Sequence, residues 1–138
     1  MTERDELRQI FFECWRKHKE KLPLMPLETQ LVNLILLHPE YHSILDDPEN
    51  AKTQDFGEHN PFLHLGLHLA LHEQITTDRP AGIKEIYLIL CKKTGDEHLA
   101  AHKMLDCLGR ILWEAQQSMK IPDEKKYLEL LRDLSFQF

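Results

Sequence analysis

Histidines are the residues whose type and spacing in this chain could do chemistry. Nine occur among 138 residues, and eight of them lie in three segments, 38–42, 59–72 and 98–102. Each segment holds histidines four residues apart. On an α-helix that spacing is about one turn, with Cα atoms roughly 6 Å apart along the axis, so two imidazoles on one face can reach one metal ion. Three such pairs on neighbouring helices could converge in a helical core.

The segment "HNPFLHLGLHLALHEQ", residues 59–74, places histidines in otherwise apolar sequence. A buried imidazole needs a hydrogen-bond partner or a metal, because unsatisfied ring nitrogens cost about 1 to 3 kcal/mol. At 100° per residue His64 and His68 share one face, whereas His72 lies about 80° from His64. The spacing therefore predicts His64 and His68 as the better ligand pair.

A third ligand is predicted on the long helical pattern that follows residue 97. His102 stands beside Leu105, Gly109 and Leu112 at the edge of an apolar stripe, which predicts partial burial. His98 lies nearer the helix start, where capping or solvent contact explains it at least as well. We therefore predict a transition-metal site of His64, His68 and His102. Imidazole ligands suit zinc, iron or nickel better than magnesium or calcium.

Other interpretations of these histidines stay open. The chain has neither the HExxH motif of zinc proteases nor the ExxH motif of di-iron bundles. The rings could instead be core histidines bonded to one another, to Gln74, to Gln116 or to backbone carbonyls, or one could act as an acid or base. Sequence motifs for nucleophilic catalysis, for a P-loop and for a dinucleotide fold are lacking. An enzymatic activity is neither indicated nor excluded.

The elements that must position these side chains all show helical periodicity. We predict an all-α bundle of about five or six helices, with the histidine-bearing helix at residues 61–75 in its centre because nearly all its sides are apolar. The run at 86–90 resembles a strand, but no second strand exists to pair with it, so helix is preferred. "TGDE" at 94–97 has the form of a capping box before the longest helix.

Residues 46–58, "DDPENAKTQDFGE", break this periodicity. They contain five acidic residues and one lysine, together with Pro48 and Gly57. We expect an exposed acidic loop that is the most mobile internal part of the molecule.

Composition restricts the class of protein. A chain of 138 residues, 42% hydrophobic, is long enough for one domain with a core, and we predict a single domain over residues 1–138. A net charge of −6 argues against nucleic acid as a partner. The longest apolar stretch, 61–71, is too short to span a membrane. Three scattered cysteines and the lack of a signal peptide predict a cytoplasmic protein.

A rival function from another class is a metal-free interaction module. It would use the acidic loop and an apolar groove to hold an unknown protein partner, and its core histidines would be structural. A large apolar surface patch would favour this function.

Three stretches carry a family resemblance: "NPFLHLGLHLALHEQ", "DRPAGI" and "CLGRILWEAQ". With them the chain resembles the bacterial domain-of-unknown-function family 1841 over nearly its whole length. That family consists of short cytosolic proteins with this domain alone and has no established activity. The resemblance therefore implies a bacterial source and a single domain, and it implies no catalytic residues.

Overall fold

All regular structure described by the computed structural model, which covers residues 2–137, is helical. The all-α class predicted from the sequence is confirmed. Six α-helices in this range have eleven residues or more and two have four, against the five or six expected. They are α1 (Glu3–Lys19), α2 (Pro26–Leu36), α3 (His42–Leu45), α4 (Pro48–Ala51), α5 (Pro61–Thr77), α6 (Ile83–Thr94), α7 (Glu97–Ser118) and α8 (Glu124–Phe136), with 3-10 turns at Pro39–Tyr41 and Gly57–His59.

The chain divides into two compact units, Met1–Gly66 and Leu67–Phe138. Unit 1 holds α1 to α4 and the start of α5, and unit 2 holds the rest of α5 with α6 to α8. The single domain predicted from chain length stays a prediction. No helix in the described part of the chain combines the length and apolar composition needed to cross a membrane.

In unit 1, α1 packs on α2. A capping box fixes the start of α1, because Thr2 and Asp5 each accept a hydrogen bond from the backbone N–H of the other. Leu7 and Ile10 are exposed although they are apolar. They lie at the edge of the buried face of α1, and residues 8, 11 and 15 lie at its centre. The residues that α1 buries are Arg8, Phe11, Phe12, Cys14 and Trp15.

Arg8 is a charged side chain buried inside unit 1, with 2% of its surface exposed. Its Nη1 donates to the backbone carbonyls of Ala51 at 3.0 Å, Lys52 at 3.4 Å and Gln54 at 2.8 Å. The carbonyls at the end of a helix lack partners within it, so a cation there is favourable. Desolvation nevertheless lowers the pKa of the Arg8 guanidinium.

Arg8 therefore holds part of the segment predicted to be a mobile acidic loop. Most side chains of residues 46–58 are exposed, but the segment contains α4 and part of a 3-10 turn. Its mobility stays a prediction, and the three hydrogen bonds from Arg8 run counter to it.

In unit 2, α6, α7 and α8 enclose an apolar core, with α7 in contact with both neighbours. The start of α7 differs from the predicted capping box. Asp96 is the N-cap, and its Oδ1 accepts from the backbone N–H groups of His98 and Leu99. The buried members of this core are Leu71, Ile83, Ile86, Leu90, Ala100, Met104, Leu105, Leu108, Ile111, Tyr127 and Leu131.

The helix expected at the centre, α5, keeps a solvent-facing side. Leu63 is 57% exposed, and His72 and Glu73 are exposed too. Its predicted central position is therefore not confirmed.

Tyr127 of α8 joins α5 within unit 2. It is 3% exposed, and its hydroxyl donates to Gln74 Oε1 at 2.7 Å. Burial raises the pKa of the Tyr127 phenol well above its ordinary value. Unit 2 thus favours the neutral form of this side chain.

The first prediction concerns Arg8. Arg8→Met keeps an unbranched chain but removes the donor from three carbonyls, so we expect the free energy of unfolding to fall by about 2 to 4 kcal/mol in urea denaturation. Arg16→Met is the control, because Arg16 pairs with Glu13 and Glu20 at the surface of the same helix, and it should change stability little. Equal losses in the two variants would contradict the anchoring role of Arg8.

The second prediction concerns alkaline pH. Since the folded-state pKa of Tyr127 is raised, its contribution to stability is complete below the unfolded value of about 10 and is lost as pH rises above it. Tyr127→Phe should therefore flatten the decline in unfolding free energy between about pH 9 and pH 11, measured by urea denaturation. An unchanged slope would show that Tyr127 ionises equally easily in both states.

Candidate metal centre

The N-terminal end of α7 sets the positions of His98 and His102. The Asp96 cap fixes the first turn of the helix, with Oδ1 2.9 Å from the backbone nitrogen of His98. Thr94 Oγ1 accepts in turn from the backbone N–H of Asp96. Four residues separate the two histidines, so their side chains leave the same face one turn apart. Local backbone chemistry therefore presents both imidazoles together.

These two rings and that of His68 on α5 form a three-histidine cluster in unit 2. The ring centroids of His98 and His102 are 4.0 Å apart, those of His68 and His102 4.8 Å, and those of His68 and His98 5.3 Å. One nitrogen from each ring can be chosen so that all lie within 4.8 Å of one another. His68 is buried and the other two are half-buried. The cluster thus brings three imidazole nitrogens together in a sheltered place.

The chemistry available to this cluster follows from its donors. Zinc binds imidazole nitrogen at about 2.0 to 2.1 Å, which puts two nitrogens of a tetrahedral site about 3.3 Å apart. The spacing of up to 4.8 Å is somewhat wider, so the rings would have to turn inward to share an ion. The neutral imidazole is the form that binds metal, because its nitrogen lone pair is the ligand.

His64, the remaining predicted ligand, lies in unit 1 beside His38. Their Nε2 atoms are 3.1 Å apart, and their ring planes are inclined by 77°. His38 Nδ1 donates to the backbone carbonyl of Leu34 at 2.9 Å. The structure thus brings His68 and His102 together, as the site prediction requires, and pairs His64 with His38.

Tyr41 packs against both rings of that pair. Its ring is nearly parallel to that of His38, at an angle of 3° with centroids 5.4 Å apart, and it meets His64 edge to face at 6.1 Å. Burial raises the pKa of the Tyr41 phenol, and the nearby Glu40 carboxylate adds to this. Tyr41 therefore packs against the pair as a neutral aromatic side chain.

The remaining histidines have other surroundings. His72 is exposed, in agreement with its angular distance from His64. The Nε2 of His42 donates to the carbonyl of Ile35 at 2.9 Å, and its ring packs on Trp15. His18 stacks on the same indole.

His98 and His38 are the residues that sequence reasoning left out of the site. Capping does account for His98, but only for its backbone N–H, which leaves its imidazole to pack against His102. The signal was the four-residue spacing of His98 and His102, the same spacing that singled out His64 and His68. For His38 the only signal was its spacing from His42, and the structure pairs it with His64 instead.

The comparisons with known proteins are consistent with the resemblance noted in the sequence. A family model described as a domain of unknown function (DUF1841) matches residues 3–133. Searches of curated proteins and of solved structures each found no significant match. Since the family model covers nearly all of the sequence, the chain belongs to the DUF1841 family.

Proposed function

We propose that this protein binds a transition-metal ion through His68, His98 and His102. The observation that carries the proposal is the approach of three ring nitrogens, one from each residue, to within 4.8 Å of one another. An i, i+4 pair on one helix and a single histidine from another is a ligand arrangement that helical bundles can supply.

The nature of the donors supports a borderline metal. Within the described residues, no carboxylate belongs to the group of side chains close enough to share an ion with these histidines. Magnesium and calcium prefer oxygen ligands, whereas imidazole suits zinc, iron and nickel. We propose zinc, iron or nickel as the bound ion.

His98 takes the place in this ligand set that the sequence had assigned to His64. Its ring lies 4.0 Å from that of His102 within unit 2.

The metal-free interaction module is the second candidate function. It is favoured by large apolar side chains that stand in solvent: Met25 is 68% exposed, Leu27 60% and Trp113 61%. Such side chains mark a site for a protein partner where they form one contiguous patch. If the protein is such an interaction module, its core histidines are structural and it binds no stoichiometric metal.

A cytoplasmic location is proposed on the evidence of the cysteines. Cys14, Cys91 and Cys107 are free thiols, with Cys14 buried and the other two half-buried. Free cysteines that pack as small apolar residues are typical of reducing compartments.

The third prediction tests the ligands directly. His68→Ala, His98→Ala and His102→Ala should each lower zinc affinity by roughly 100-fold or more, since one of three donors is lost. The measurement is zinc titration calorimetry on folded protein purified without a histidine tag, together with elemental analysis.

The matched control is His72→Ala, which removes an exposed histidine from the same helix as His68. It should bind zinc like the wild type. If the wild-type protein carries no stoichiometric metal and gains none from zinc, iron or nickel, the metal proposal is wrong and the interaction module is favoured.

The fourth prediction concerns thermal stability. A ligand that binds only the native state stabilises it, by about 2.7 kcal/mol at a free concentration 100 times its dissociation constant. Zinc at that level should raise the melting temperature by roughly 5 to 10 °C, and a chelator should reverse the rise. The effect should weaken as pH falls towards 5, because protons compete for imidazole. A melting temperature indifferent to zinc and to chelator would support the metal-free module.

A further inference from the structure

His38 and His64 form a close pair of imidazoles in unit 1. His38 is 1% exposed and His64 is half-buried. Their Nε2 atoms approach to 3.1 Å. The three-histidine cluster of unit 2 does not include His64.

We infer that His38 and His64 are themselves transition-metal ligands and bind an ion through their two Nε2 atoms. The inference goes beyond the proposed function, because it assigns ligands in unit 1 and stands on the geometry of these two rings alone.

The distance between the two nitrogens supports ligation. Two imidazole nitrogens that bind zinc at about 2.0 to 2.1 Å with tetrahedral angles lie about 3.3 Å apart. The observed 3.1 Å is close to this value. An ion could contact both Nε2 atoms with little movement of either ring.

The bonding of His38 at its other nitrogen also fits a ligand. Nδ1 donates its proton to the Leu34 carbonyl at 2.9 Å, so in the neutral ring the lone pair lies on Nε2. Histidines that bind metals almost always donate the second ring N–H to a carbonyl, a carboxylate or water. Leu34 therefore fixes the tautomer and the orientation that a metal requires.

Tyr41 restricts the remaining freedom of the pair. Its ring stacks on His38 and meets His64 at an angle of 77°. Side chains held by packing and by outer hydrogen bonds lose little conformational entropy when they bind an ion. The two nitrogens are thus held ready in the free protein.

A hydrogen bond between the two Nε2 atoms is the competing explanation for their short distance. It requires a different position for the ring proton of His64. With the His38 Nε2 lone pair as acceptor, neutral His64 would have to donate from its own Nε2. When an ion binds both Nε2 atoms, the proton of neutral His64 must lie on Nδ1 instead. The tautomer of His64 therefore distinguishes the two states.

The fifth prediction uses a variant that separates these roles. His64→Gln keeps an amide that can donate to His38 but is a poor ligand for zinc. We expect it to fold with nearly unchanged stability and to lose zinc affinity by at least about tenfold, or to bind less zinc per chain, in titration calorimetry. His38→Ala should lose zinc in the same way.

The control is His42→Ala. His42 also donates a ring N–H to a backbone carbonyl, but it is not part of the pair. It should bind zinc like the wild type. Nitrogen NMR of the histidine rings in the full-length protein supplies the second measurement, and zinc should shift both Nε2 resonances and move the His64 proton to Nδ1.

The outcomes separate this inference from the proposed function. Loss of zinc in the His98 and His102 variants, with wild-type binding in His64→Gln and an unchanged His64 tautomer, would overturn the inference alone. Loss of zinc only in the His38 and His64 variants would overturn the ligand set proposed in unit 2 and support the inference. Wild-type binding in every variant would refute both.

Discussion

A histidine inside a helical core carries two ring nitrogens that both need partners, and this requirement governs the arrangement of the buried imidazoles here. Hydrogen bonds within a helix already use most backbone groups, so a ring must find its partners at helix ends, at other side chains or at an ion. His38 and His42 use the carbonyls of Leu34 and Ile35, which lie at the last turn of α2. The end of that helix thus supplies acceptors that its interior could not.

The start of α7 supports the other cluster in a complementary way. Asp96 accepts from the backbone N–H of His98, so the imidazole of His98 has no capping role. His98 and His102 then meet His68, with all three centroid distances at 5.3 Å or less. A helix terminus is therefore used in both units: in unit 1 its carbonyls bond the rings of His38 and His42, and in unit 2 its cap fixes the backbone of His98.

The sequence predicted the elements well because helical periodicity is a local property. Helix was correctly preferred at residues 86–90, and residues 61–75 lie within α5 as expected. Angular position on an ideal helix also set His72 apart from His64, and His72 is exposed. Which rings meet across helices depends on how distant segments pack together. Residue spacing in a single sequence does not reveal that packing. His38 is therefore paired with a residue 26 positions away that no spacing rule selects.

The residues that α1 buries also depend on contacts with distant segments of the chain. The apolar Leu7 and Ile10 are exposed, whereas the charged Arg8, which lies between them in the sequence, is buried. A hydrophobicity pattern cannot recognise a buried cation, because the compensating carbonyls come from residues more than forty positions away.

That buried arginine has a consequence for how freely the sequence can vary. Its partners at residues 51, 52 and 54 are main-chain oxygens, which every amino acid possesses. Substitutions along this stretch can therefore alter its charge and shape without detaching it from α1. An insertion or deletion between these positions would shift the oxygens out of reach. This stretch should therefore tolerate many substitutions but few insertions or deletions. New surface side chains could be introduced there while the stretch stays attached to α1.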